Sequence, residues 1–211
     1  MTEQSLILKI FLSLAAFGLA LGLLALCLPK GQANHRLIGR LAQMGGIAAG
    51  LVGLFWALPI NEQYPSLCLL LSLYLGVAGQ GWTRTGGPLR IERAITGMAL
   101  IGSLASVLTA LSVFFGFRAE TLSREGAPLA LLFGLIGMEC ARRNLYLFEN
   151  PPKLALRQKL HGLHMTGAVM ALGSALFYAA ADRLGLDPWQ AALLAILGLS
   201  PLIMIAARRS G

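Results

Sequence analysis

The sequence predicts an all-α integral membrane bundle of seven transmembrane helices, with the N-terminus outside and the C-terminus cytoplasmic. Three observations carry that prediction. Only 12% of the 211 residues are charged and 56% are apolar, whereas a soluble domain has roughly 25% charged residues. The mean hydropathy is +0.71, so most of the surface does not face water. The apolar residues also gather into seven stretches that each approach or exceed the ~20 residues a spanning helix needs.

Those stretches are 5–28, 37–59, 65–82, 92–116, 127–146, 158–180 and 188–207, and they make residues 1–211 one transmembrane domain. In the first, Glu3 offsets Lys9, and Leu26 precedes Cys27 where a lipoprotein signal needs a small residue. It therefore reads as a retained helix and not as a signal peptide. Gly18-x-x-x-Gly22 in this stretch and Gly46-x-x-x-Gly50 in the second have the small-residue spacing of close helix contacts. The third stretch is the shortest. In the fourth, Thr96, Ser103 and Ser106 recur near helical spacing, again a packing pattern. Trp56, Trp82 and Trp189 each fall near a helix end, where interfacial anchors belong.

In the fifth stretch, Glu139, Arg143 and Tyr146 stand at i, i+4 and i+7 on one face, and the Glu139–Arg143 spacing lets the charges offset each other. The sixth helix is expected to start from Asn150-Pro151-Pro152, because Asn caps helices and Pro suits their first turn. From there Lys153, Arg157, His161 and His164 form one stripe that continues into Ala168, Ala171 and Ala175. A stripe that turns small as it deepens belongs against other helices. The seventh stretch contains Pro201 after Ser200.

The charges fix the orientation. Thirteen of the 17 Lys and Arg residues fall in loops 1, 3 and 5 and the C-terminal tail, among them Arg36, Arg40, Arg90, Arg143, Arg157 and Lys159. Only Lys9, Arg118, Arg124 and Arg183 lie on the other side. This positive-inside bias sets that side as cytoplasmic. It also accounts for the net charge of +8 as topology and attraction to anionic lipid headgroups, with no nucleic-acid partner. Membrane lipids are the expected partners, together with other membrane proteins or a second copy of the chain.

Several chemistries are excluded. The loops are too short for a soluble catalytic domain. Cys27, Cys68 and Cys140 stand alone inside apolar runs, without zinc-ligand spacing. There is no GxSG nucleophile, no HExxH, and no Lys in the seventh stretch for a retinal Schiff base. What remains is a polar constellation on the cytoplasmic side: His35, Gln43, Gln80, Glu139, Arg143, Arg157, His161 and His164. Ionisable groups inside membrane helices point to function by default. Glu139 and His164 lie at similar depth on consecutive antiparallel helices, which predicts that they meet.

Three readings follow. The cluster is a packing feature at the membrane interface, or a non-enzymatic binding, transport or complex-subunit site, or a b-type haem site. In the haem reading His35 and His164 are the axial ligands, because His161 and His164 on one helix cannot grip opposite faces of one haem.

The run His35-Arg36-Leu37-Ile38-Gly39-Arg40, together with the late His161…His164-Met165, resembles families of small bacterial polytopic membrane proteins without an assigned activity. That resemblance implies an inner-membrane location and carries over no catalytic residue. The arrangement of three helices, one linking helix and three more also resembles the layout of SWEET sugar carriers. His35-Arg-Leu37 aligns with His161-Gly-Leu163, and Met44 with Met170, but the Pro-Gln signature of those carriers is absent.

Overall fold

The computed structural model describes residues 3–29, 32–83, 90–116 and 126–208, with side chains as far as residue 201. Within them the chain forms α1 (Glu3–Cys27), α2 (Ala33–Ala57), α3 (Gln63–Gly81), α4 (Arg90–Phe114), α5 (Ala127–Glu149), α6 (Leu154–Ala179), the single turn α7 (Ala181–Leu184) and α8 (Pro188–Arg208). The described residues hold no strand. All seven apolar stretches are helical, and their ends lie within about four residues of those expected.

Four of these helices, α1, α2, α4 and α6, are long and apolar enough to cross a membrane, which points to a membrane protein. Seven were expected. Two of the others differ for identifiable reasons: α3 is only 19 residues long and carries Gln63, Tyr64, Tyr74 and Gln80. α5 carries Glu139, Arg142, Arg143, Asn144 and Glu149. In α8 the side chains beyond residue 201 are not described.

Helix α3 is the centre of the fold. It packs against α2, α4, α5 and α6 and buries most of its length. A helix enclosed by protein can satisfy polar side chains on its neighbours, so it needs less apolar surface than one facing lipid. Its main partner is α6, and antiparallel hydrogen bonds join the two along their whole length. Tyr178 donates to Glu62 at 2.8 Å, Tyr64 and Ser174 share a bond of 2.6 Å, and Ser72 donates to the Ala168 carbonyl at 3.0 Å. At the far end His161 donates to the Gly79 carbonyl at 2.7 Å.

The glycine pattern acts as expected at α1 and α2. A Cβ on Gly18 would lie 3.1 Å from the Gly46 nitrogen and 3.2 Å from the Gly45 carbonyl carbon. The two backbones therefore touch directly. Gly22 faces Val169 of α6, and Gly50 faces Leu73 of α3.

Three expectations are corrected here. Asn150 does not open α6: its side chain and its backbone both donate to the Tyr146 carbonyl at 3.1 Å, closing α5, and α6 starts after Lys153. Trp56 and Trp82 are buried within the protein, Trp56 stacked on Phe11 and Trp82 on Phe148, instead of standing at the surface as anchors. The two-unit repeat also fails: among the described residues α5 packs on α4 and α3 and has no close backbone approach to α6, so α4 is half of a hairpin and not a linker.

Candidate functional site

Four helices, α1, α2, α3 and α6, surround a cavity of about 530 Å³, within the range of small-molecule sites. Four of the residues singled out from the sequence line it: His35, Gln43, Gln80 and His161. Each histidine is held by a helix end. His35 Nδ1 donates to the Ala25 carbonyl in the last turn of α1 at 3.0 Å. His161 Nδ1 does the same for Gly79 in the last turn of α3. These carbonyls lack a complete set of partners within their own helices, and the helix dipole there favours a positive neighbour. Gln43 ties α2 to α3 by donating to the Gly76 carbonyl at 3.2 Å.

The wall also contains Arg36, Arg40 and Lys159, which sequence reasoning used for topology and not for the site. None of the three has a carboxylate partner among the described residues, and no Asp or Glu lines the cavity. The sequence signal was available: Arg36 and Arg40 are spaced i, i+4 with Gly39 beside them, which places both on the face that carries Gln43.

The remaining candidates lie elsewhere. Glu139 is exposed and pairs with Arg142, not Arg143, through bonds of 2.8 and 2.9 Å. It does not meet His164, because its side chain is exposed and the α5 residue that reaches His164 is Asn144. Arg143 is exposed on α5 and Arg157 half-buried on α6, and both lie outside the cavity wall.

His164 belongs to a second, buried polar cluster. Its Nδ1 donates to the Leu160 carbonyl at 2.6 Å, so Nε2 carries the lone pair and accepts from Asn144 Nδ2 at 2.9 Å. The same amide donates to the Tyr74 hydroxyl at 2.6 Å. Asn144 and Tyr74 are each 1% exposed. Neither was singled out from the sequence, which drew attention to ionisable groups. With both ring nitrogens engaged, His164 does not fit the role of a haem ligand opposite His35. Among the described residues no group of three or more His, Cys, Asp or Glu side chains is placed to hold a metal ion.

No known protein family, curated protein or solved structure matches this chain. The cavity has to be read from its own chemistry.

Proposed function

We propose that this chain is a multi-pass protein of the bacterial inner membrane that binds or transports a small anionic ligand in the cavity between α1, α2, α3 and α6, without enzymatic chemistry. The observation that carries this reading is the wall itself: the exposed side chains of Arg36, Arg40 and Lys159 line one space, and no described Asp or Glu lines it with them. An anion in that space would pair with these side chains through charge-assisted hydrogen bonds. Arginine supplies a planar fork suited to carboxylate or phosphate oxygens.

The membrane setting follows the charge bias of the sequence. All seven long helices cross in this reading, with the N-terminus outside, and the cavity's basic end faces the cytoplasm beside anionic headgroups. Supporting it, α3 buries Tyr64, Ser66, Ser72 and Tyr74 in the bundle, and α5 buries Asn144 while its exposed charges, Glu139, Arg142, Arg143 and Glu149, gather in its C-terminal half, towards the cytoplasmic side in this reading.

The test is to purify the wild type and Arg36→Gln/Arg40→Gln in an uncharged detergent and analyse extracts by negative-ion mass spectrometry. The wild type should retain an anion at near-stoichiometric occupancy, and the double variant should lose it. Equal content in two folded proteins would overturn the proposal.

A further inference from the structure

The cavity wall is divided along its length. On α2 it runs from His35, Arg36 and Arg40 to Gly46 and Ile47, about 16 Å from Arg36 to Ile47 at 1.5 Å per residue. On α6 it runs from Gln158, Lys159 and His161 to Ala168, Val169 and Leu172, about 20 Å from Lys159 to Leu172 by the same rise. Gln80 of α3 and Thr83 just beyond that helix stand at the basic end, and α1 contributes only small or apolar side chains. The two hydroxyls towards the deep end are turned to backbone: Ser72 donates to the Ala168 carbonyl and Thr166 to the Gly162 carbonyl at 3.0 Å. The deep half therefore presents an apolar surface although it contains Ser and Thr.

We infer that the ligand is a single-chain amphiphile with a phosphate head, its head against Arg36, Arg40 and Lys159 and its chain along Gly46, Ile47 and Val169. The inference rests on the anion-binding reading above and names the ligand class. A uniformly polar anion would leave the apolar half of the cavity unfilled. A neutral lipid would leave the cations unpaired. The three basic side chains, Arg36, Arg40 and Lys159, exceed what one carboxylate neutralises. A phosphate monoester brings about −1.5 to −2 charge at neutral pH and three acceptor oxygens.

The experiment titrates the full chain, in an uncharged maltoside detergent, with dodecyl phosphate, octyl phosphate, butyl phosphate, inorganic phosphate, dodecanoate and dodecanol. Each methylene buried in an apolar wall contributes about fourfold in affinity. Dodecyl phosphate should therefore bind at least 100-fold more tightly than butyl or inorganic phosphate, and at least 10-fold more tightly than dodecanoate or dodecanol. Arg36→Gln/Arg40→Gln should weaken dodecyl phosphate by at least 10-fold. Gly46→Leu, or Ile47→Phe if the first variant does not fold, should weaken dodecyl phosphate by at least 10-fold while butyl phosphate binds as before.

Inorganic or butyl phosphate binding as tightly as dodecyl phosphate would overturn the amphiphile and leave the anion site standing. Dodecanoate binding equally well would overturn the phosphate head. Binding of dodecanol as tight as that of dodecyl phosphate, or no binding of any of these anions, would overturn the anion-binding reading itself. Should neither cavity-filling variant fold, the chain-length series on the wild type decides the question alone.

Discussion

Truncating Asn144 to Ala tests the buried cluster at the point where three helices meet. One amide group makes two bonds there, to the Tyr74 hydroxyl on α3 at 2.6 Å and to His164 Nε2 on α6 at 2.9 Å. The substitution leaves both acceptors inside the protein. Each lost bond costs about 0.5–1.5 kcal/mol, so the variant should unfold about 1–3 kcal/mol more easily. Tyr74 has Thr96 as a further neighbour, which keeps the estimate towards its lower half. The sharper measurement is a double-mutant cycle with His164→Ala, read by equilibrium unfolding in mixed micelles. Interhelical bonds in membrane bundles average ~0.6 kcal/mol and reach ~1.7, so the coupling between Asn144 and His164 should fall at about 0.5–1.7 kcal/mol. Independent sites add to within about 0.3–0.5 kcal/mol. A coupling below ~0.3 kcal/mol would show that the two side chains do not hold each other.

Other expected outcomes are as direct. Glu139→Gln should change the amount of anion retained by the purified protein by less than twofold, because no residue of α5 lines the cavity; a larger loss would return Glu139 to the site. Gly18→Ala forces a methyl to about 3.1 Å from the backbone of α2 and should cost about 1–3 kcal/mol by overpacking. Gly97→Ala on α4 meets nothing within 4 Å and should stabilise by up to ~1 kcal/mol; thermal melts in detergent compare the two, and equal shifts would contradict the contact. Cys27 is exposed and Cys68 buried. In intact cells Cys27 should react with a membrane-permeant maleimide and resist an impermeant one, while Cys68 should label only after denaturation. Labelling of Cys27 from outside would reverse the proposed orientation.

Helix positions were legible in the sequence because apolar runs and their boundaries are local features. The angle at which each helix meets its neighbours was not, and that angle decides the site. Glu139 and Asn144 show the difference. The charges at 139 and 143 suggested an inward polar face for α5. The buried face instead follows Ala127, Ala130, Gly134, Gly137, Ala141 and Asn144, a mostly small stripe at helical spacing that also includes Phe133 and closes on Phe148. On α6 the same logic succeeded: His164, Ala168, Ala171 and Ala175 are all buried, as the basic-to-small gradient implied. Pairing between helices was the least accessible level. Consecutive antiparallel helices are often neighbours, yet α3 separates α5 from α6, and only side chains bridge the gap.

That separation has a mechanical consequence. The α4–α5 hairpin is mounted on α3, with the Asn144–His164 bond tying it across to α6. The cavity lies on the other side of the same mount, between α3 and the helices that do not belong to the hairpin. Force applied to the hairpin, from bilayer tension or a neighbouring protein, would therefore reach the cavity through the α3 shaft and through side chains bridging α5 and α6, where Phe148 shares a cluster with Leu160 and Trp82 beside the Asn144–His164 strut. The strut attaches one turn from His161, whose own bond holds the end of that shaft.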